Sequence, residues 1–172
     1  MNPPPPPQLD KSVWTDADFD AMGWHDATVH ALAIEPEDQD PGRLLVDLDY
    51  IVEWVQPTED KDPFGFWVVP ATLVFAHAWD LTVDIDLHSA ALELELNAIT
   101  RTPGQPFGRS IWTLEGHNFT VTVTSEGFRQ YLRTEPLWSP SQQLDTAQRG
   151  GISFTEKGYT KRSTTRPPAD NS

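Results

Sequence analysis

Two histidines and one aspartate, His25, Asp26 and His30, lie close together near the start of the chain. Imidazole nitrogens and carboxylate oxygens are common ligands of divalent metal ions, so the three residues form a candidate metal site. Their spacing argues against the simplest arrangement, because residues an odd number of positions apart on a regular strand lie on opposite faces. A shared metal ion would require a bend or a bulge between His25 and His30. In the alternative interpretation, His25 and Asp26 hydrogen-bond backbone groups where the chain turns into a strand.

Acidic residues form the second candidate site, because they recur at same-face spacing in three strand-like stretches. The seven residues are Asp47, Asp49, Glu53, Asp84, Asp86, Glu93 and Glu95. Side chains two positions apart leave the same face of a strand, so each stretch predicts an acidic face. Like charges on neighbouring strands repel one another unless water, a cation or a partner screens them.

Three explanations of these acidic faces remain open from the sequence. The first is a plain solvated surface, the second a divalent cation site built from carboxylates, and the third a docking surface for a basic protein. Of the two functional explanations, docking is favoured, because a calcium site usually takes its ligands from a loop with a glycine at the sharp turn. The Asp-x-Asp pairs at 47–49 and 84–86 lie instead on predicted strands.

An enzymatic alternative uses the same residues differently. A metal-dependent or carboxylate hydrolase could use His25, Asp26 and His30 with some of the acids, and a carboxylate pair can act as acid and base in a glycosidase. Tryptophans could then stack on sugar rings, the candidates being Trp24, Trp54, Trp67, Trp79, Trp112 and Trp138. Most of them fall on core-facing positions of predicted strands, and the chain contains no cysteine and none of the common catalytic or nucleotide-binding motifs. We therefore expect a protein that is not an enzyme and has no cofactor, with a divalent metal ion as the alternative.

The net charge limits the class of partner. The 172 residues include 12 Lys and Arg against 26 Asp and Glu, a formal net charge of -14. Such a chain repels the phosphates of nucleic acids and attracts a basic protein. No stretch reads as a signal peptide or reaches the roughly 18 apolar residues of a membrane span. We expect a cytoplasmic protein that binds neither nucleic acid nor membrane, and the sequence leaves the oligomeric state open.

The stretches that must position these side chains read as short antiparallel strands. Apolar and polar residues alternate over 43–55, 79–87 and 92–96, and again over 110–115 and 118–125, which Gly116 and His117 join in a tight hairpin. Short helices are predicted at 16–22 and over a segment that begins at Ser139 or Ser141 and ends at Gln148. A parallel sheet would need crossover helices that the sequence lacks. We predict a mainly β fold, an antiparallel sandwich or strongly curved sheet of seven to nine strands with one or two short helices.

Three local features refine this prediction. Leu45, Ile51 and Val55 interrupt the polar face of 43–55, which indicates that part of this face is covered. Pro70 lies inside an apolar strand and should occupy an edge position or a bulge, because proline cannot donate to the ladder. Residues 1–11, with five consecutive prolines, and residues 156–172, which are polar and basic, read as disordered tails around a single β-rich domain at 12–155.

Part of the chain resembles a family of bacterial proteins. The segments are the run Gly23-Trp24-His25-Asp26 with Val29-His30, LLVDLDYIVEW at 44–54, and VVPATLVFAHAWDLTVDI at 68–85. Over about residues 20–100 they resemble a set of small, uncharacterised bacterial proteins of the domain-of-unknown-function type. The acidic, β-rich architecture is also similar to immunity proteins that neutralise polymorphic bacterial toxins, and neither resemblance transfers catalytic residues. We predict a non-enzymatic binding protein, in its most specific form an immunity-type inhibitor, that docks a basic partner such as a toxin.

Overall fold

A computed structural model describes residues 3–38, 41–57, 64–86, 88, 92–105 and 108–160 of the chain. The described residues form ten strands, a 3-10 helix at Asp16–Ala21 and an α-helix, α1, at Thr146–Arg149. The strands are β1 (Val13–Thr15), β2 (Thr28–Glu35), β3 (Arg43–Val55), β4 (Gly65–Ala76), β5 (Trp79–Ile85), β6 (Leu94–Pro103), β7 (Ser110–Gly116), β8 (Phe119–Ser125), β9 (Gly127–Leu132) and β10 (Leu137–Ser139). The predicted mainly β, antiparallel fold class is confirmed. The structure has ten strands rather than the predicted seven to nine, and the two three-residue strands, β1 and β10, account for the higher number.

All ten strands belong to one antiparallel sheet that does not close. Its order is β1-β9-β4-β3-β2-β6-β7-β8-β5, and β10 pairs with β4 beyond the end of β9. The sheet is narrowest where β2 meets β6, because only Thr28 and Val29 of β2 pair across this junction. Strands on the two sides of the junction can therefore fold toward each other and enclose a core.

The main core lies between the two halves of this sheet. Trp112 of β7, which is fully buried, packs against Phe75 of β4 with ring centroids 5.9 Å apart and against Phe128 of β9 at 5.2 Å. The alternation over the 110–125 hairpin places five apolar residues on one face, and all five are buried, namely Trp112, Leu114, Phe119, Val121 and Val123. The alternation in this hairpin therefore predicted both its strands and its inner face.

Two tryptophans predicted to face the core lie instead at the surface, with Trp54 41% and Trp79 42% exposed. The register of β3 shifts between Ile51 and Glu53, and such a bulge redirects the side chains that follow it. Trp54 consequently packs against Phe66, 5.0 Å away between ring centroids. Trp79 begins β5, the last strand of the sheet, which has a neighbouring strand on one side only within the described part of the chain. β5 and β6 follow each other in the chain but do not pair, because β7 and β8 lie between them in the sheet.

Pro70 lies inside β4, which has neighbours on both sides. β9 pairs with β4 from Ala71 onward and β10 pairs with it up to Val68, so Pro70 lies in the gap between them. The carbonyl oxygen of Pro70 accepts a hydrogen bond from the Arg133 amide at 3.0 Å across this gap. Because the N and C=O of one strand residue point to the same side, the missing N–H also faces the gap. The prediction of a local edge position at Pro70 is confirmed.

The chain after β9 covers the outer face of β3 and β4, as the interrupted polar face predicted. Leu137 of β10 and the loop residue Leu144 form a second apolar cluster with Ile51, Phe66 and Val68. α1 is shorter than predicted, because the Asp145 side chain caps it by accepting the Gln148 amide at 2.7 Å. No strand forms in the described stretch 152–154.

Both predicted tails contain residues that pack on the main core. Leu9 and Tyr159 contact it, and the Tyr159 amide donates to the Leu132 carbonyl at 2.8 Å. The packed part of the chain is therefore wider than the predicted 12–155. Residues 161–172 lie outside the described part, so disorder there stays a prediction.

Candidate functional site

Asp47 and Asp49 lie on the outer face of β3, and both are completely buried. The segment containing β10 and α1 lies over them, so neither carboxylate reaches solvent. The prediction that these two residues belong to an exposed docking face is wrong. Burial of two like charges on one strand requires compensating positive charge, because an unpaired buried carboxylate is strongly destabilising.

Two arginines from the chain after β9 supply that charge. Arg149 of α1 donates to both oxygens of Asp47, from Nη2 at 2.8 Å and Nη1 at 3.1 Å, and its Nε donates to Asp49 at 3.2 Å. Arg133 donates to Asp47 from Nη2 at 2.8 Å. The Arg149 side chain is only 3% exposed. Burial by itself would lower the pKa of Arg149, but the hydrogen bond to Asp47 and the charges of both aspartates raise it.

His30 reaches the same group of charges through a bulge in β2. Pairing with β3 shifts register between Val29 and Ala31, which leaves His30 as an extra residue whose Nε2 lies 2.9 Å from Asp49 Oδ2. The Leu144 amide donates to the same oxygen at 2.9 Å. Burial alone would raise the pKa of Asp49, but the hydrogen bonds from His30 and Leu144 and the nearby charges of His30 and Arg149 lower it below its ordinary value.

These five residues form what we call the buried charge network: Asp47, Asp49, Arg133, Arg149 and His30. Every carboxylate oxygen in it accepts at least one hydrogen bond, since Asp47 Oδ2 also accepts the Ser153 amide at 3.1 Å. A surface cavity of about 850 Å³ opens beside the network and includes His30 and Arg149 in its lining. These charges are already paired with one another within the protein. The network therefore holds the segment that contains β10 and α1 on the sheet, and its charges are not available to bind a ligand.

The His25-Asp26 pair forms a tight turn at the junction of the two sheet halves. Asp26 has a left-handed backbone, with φ 64°, and its amide donates to the Leu96 carbonyl of β6 at 2.8 Å. Its carboxylate oxygens contact His25 Nδ1 at 2.8 Å and Gln142 Nε2 at 2.9 Å. Asp26 therefore links β2, β6 and the loop before α1. The turn was predicted, but the Asp26 side chain binds other side chains rather than the backbone.

The structure does not bring the three predicted metal ligands together. His25 contacts Asp26, whereas the bulge directs His30 to Asp49 in the buried charge network. Among the described residues, no three His, Cys, Asp or Glu side chains are placed to hold one metal ion. The predicted metal site at His25, Asp26 and His30 is therefore wrong, and the hydrolase alternative loses its metal site there.

Four of the remaining predicted acids gather around the turn between β7 and β8. His117 Nε2 lies 3.5 Å from Glu95 Oε1, and Asn118 binds the backbone of both Glu93 and Asp86 at 3.1 and 2.8 Å. A shallow cavity of about 270 Å³ at this turn is lined by Asp84, Asp86, His117 and Asn118, among others. We call this surface the acidic tip, defined by Asp84, Asp86, Glu93 and Glu95. Asp84, Asp86 and Glu93 are exposed and Glu95 is half-buried.

Glu53, the seventh predicted acid, lies elsewhere, beside an exposed aromatic patch at the end of β3. Trp54 is 41% and Phe64 44% exposed, and their ring centroids are 6.3 Å apart. The His25 ring lies 6.3 Å from Trp54, so the patch adjoins the Asp26 turn. Large exposed aromatics of this kind are typical anchors of protein interfaces.

A chain of side-chain contacts connects the aromatic patch to the acidic tip. From His25 it passes to Asp26 and then to Gln142, as described above. The neighbouring Gln143 donates from Nε2 to Glu93 Oε1 at 3.5 Å. The aromatic patch and the acidic tip are therefore linked through the Asp26 turn and the loop before α1.

Sequence reasoning missed the two arginines of the buried charge network. One signal was available, because apolar residues interrupted the polar face of β3 and predicted its burial. Aspartates on a covered face need cations, and Arg133 and Arg149 lie in the segment that covers it. Which arginines pair with which aspartates depends on contacts between residues about a hundred positions apart.

Comparison of the chain with family models, with curated proteins and with solved structures finds no match in any of the three. Among the described residues, no helix is long and apolar enough to cross a membrane.

Proposed function

We propose that this is a binding protein that docks a basic protein partner through the acidic tip. The observation that carries the proposal is the gathering of four acids, from two separate stretches of the sequence, around one exposed turn. Like charges held close together at a surface raise its negative potential, which attracts a basic partner and raises the association rate.

The adjoining aromatic patch supplies a means of holding the partner once it has arrived. Charges at the rim of an interface mainly set the rate of encounter, whereas buried aromatic side chains contribute most of the binding energy. Trp54 and Phe64 are partly exposed to solvent, and the Asp26 turn and the loop before α1 link them to the acidic tip. The proposed interface therefore combines a charged part with an apolar anchor.

In its most specific form, the proposal is an immunity-type inhibitor that neutralises a basic bacterial toxin in the cytoplasm. The net charge of -14 and the absence of cysteine suit this role and this compartment. A partner that is basic but is not a toxin would retain the docking function and exclude the inhibitor form.

The test is capture of the partner from the native lysate at low salt, elution at high salt, and identification of the released protein. Its association rate with the purified chain is then measured by stopped flow at several salt concentrations. We expect Asp84→Asn with Asp86→Asn to slow association about tenfold at low salt and much less at high salt.

A matched control changes the net charge by the same amount at a distance from the acidic tip. Glu126→Gln with Glu135→Gln removes two exposed carboxylates, one in the β8–β9 connection and one between β9 and β10. Equal slowing by the control pair, or association that does not depend on salt, would contradict docking at the acidic tip.

A further inference from the structure

β5 is an open edge that leads into the acidic tip. It is the last strand in the sheet order and pairs only with β8 among the described residues. The other terminal strand, β1, has three residues, whereas β5 has seven. An edge of this length can accept a further strand from another chain, and proteins commonly guard such edges with charges or bulges.

The register of β5 shows which of its backbone groups are free. Asp84 lies opposite Thr120 of β8, and the Asp86 amide donates to the Asn118 carbonyl at 2.8 Å in the same register. Residues at alternating positions bond toward the same neighbour, so Asp84 and Asp86 point their backbone groups at β8. The N–H and C=O groups of Val83 and Ile85 therefore point away from β8, toward the open edge.

The side chains of this stretch alternate between apolar and acidic. Leu81 and Ile85 pack against the main core, and Val83, on the same face, is 43% exposed. Asp84 lies on the opposite face and is exposed. The register shift that marks a bulge lies between Trp79 and Thr82, so the ladder from Thr82 to Ile85 is regular.

Charge decides which kind of strand fits this edge. A second copy of the chain, which carries a net charge of -14, would bring its own Asp84 and Asp86 against those of the first. Like charges on paired strands destabilise the pairing, whereas opposite charges stabilise it. We propose that the partner docks by adding a basic strand to the open edge of β5, with lysine or arginine facing Asp84 and apolar residues facing Val83 and Ile85. This inference rests on the proposed function and specifies how the same acidic surface recognises its partner.

The test uses an eight-residue peptide of alternating lysine and valine, whose binding is measured by fluorescence anisotropy at low salt. In the proposed antiparallel register, two of the valines lie opposite Val83 and Ile85, so the valine amides face β5 and the lysine amides face away. Two derivatives of identical charge separate strand pairing from simple attraction. N-methylation of the valine amides should weaken binding about tenfold or more, whereas N-methylation of the lysine amides should leave it within about twofold.

A protein variant tests the same edge from the other side. Val83→Pro removes the N–H that faces the open edge, keeps the net charge, and leaves the Asp84 bonds to β8 in place. We expect it to weaken the unmodified peptide about tenfold, with an unfolding curve recorded to confirm that the variant folds. If it does not fold, the two methylated peptides decide the question with the wild-type chain.

The outcomes distinguish this inference from the docking proposal itself. Equal binding of the two methylated peptides, or no binding of the unmodified peptide, overturns strand addition and leaves the acids of β5 as guards of the edge. Docking through the acidic tip survives that result if Asp84→Asn with Asp86→Asn still slows the captured partner. Concentration-dependent dimerisation that Val83→Pro abolishes would show that a second copy occupies the edge, and would also overturn the inference.

Discussion

Replacement of Arg149 by methionine removes the centre of the buried charge network while keeping most of the volume of the side chain. The substitution deletes one hydrogen bond to Asp49 and two to Asp47. Asp47 keeps Arg133 and the Ser153 amide, but one of the two buried positive charges is lost. The remaining pair of buried carboxylates then faces a single arginine and the partly exposed His30.

The expected loss of stability follows from the burial of these groups. Breaking a buried ion pair by removing one partner costs about 3–5 kcal/mol, because the other charge is left without compensation in a site that water cannot reach. In a chain of this size, 1 kcal/mol shifts the midpoint of thermal unfolding by about 2–4 °C. Arg149→Met should therefore lower the midpoint by about 10 °C.

Urea unfolding followed by tryptophan fluorescence measures this change directly, because Trp24 and Trp112 lie in the main core and Trp67 contacts Trp138 where β10 pairs with β4. Arg43→Met is the matched control. Arg43 also contacts several carboxylates, those of Glu35, Glu37 and Glu156, but its side chain is 27% exposed. Solvent-exposed ion pairs contribute only about 0–1 kcal/mol, so this variant should lose far less stability.

Arg149→Met with stability within about 1 kcal/mol of the wild type would refute the reasoning. It would mean that the segment after β9 is held by its apolar contacts alone. A loss equal to that of Arg43→Met would lead to the same conclusion, because burial would then make no difference to the strength of the ion pairs.

Three further predictions follow from individual side chains. The pKa of Asp49 is lower in the folded chain than in the unfolded chain. The ionised Asp49 carboxylate therefore stabilises the fold above its unfolded pKa of about 3.9, and this stabilisation is lost as the pH falls through the folded pKa. When the free energy of unfolding is measured in urea at decreasing pH, Asp49→Asn should show a shallower loss below about pH 4 than the wild type. Asp26→Ala should lower the free energy of unfolding in urea by about 1–2 kcal/mol and Asp26→Gly by less, because the backbone φ of 64° strains alanine but not glycine. Equal losses in the two variants would show that backbone strain is not the cause. Gly65→Ala should cost about 1–3 kcal/mol, because a Cβ there would overlap the Trp138 ring. Gly23→Ala is the control, because a Cβ there meets no atom within 4 Å and Gly23 has no positive φ; a Gly65→Ala loss no larger than that of Gly23→Ala would argue against the overlap.

Local patterns predicted most of the longer strands and much of the core. Alternation predicted the β7–β8 hairpin and its inner face, and the apolar residues on the polar side of β3 predicted that this side is covered. These features follow from neighbours along one strand, because side chains two positions apart share a face wherever that strand is placed. The same local rule failed at Trp54, since a bulge changes the face without changing the composition of the strand.

The distribution of the acids between surface and interior depended on contacts that no local pattern contains. Asp47 and Asp84 both belong to Asp-x-Asp pairs on predicted strands, yet one is buried against Arg149 and the other is exposed at the acidic tip. The difference lies in what covers each strand: the segment with α1 lies over β3, whereas β5 ends the sheet.

The sequence by itself therefore determined the β class, most of the longer strands, most inward-facing residues and the net negative charge. Only the tertiary structure decided which acids are exposed, that His30 contacts Asp49 rather than His25, and that β5 has no second neighbouring strand among the described residues. The physical reason is that alternation acts between adjacent residues, whereas burial, ion pairing and strand order arise between residues far apart in the chain.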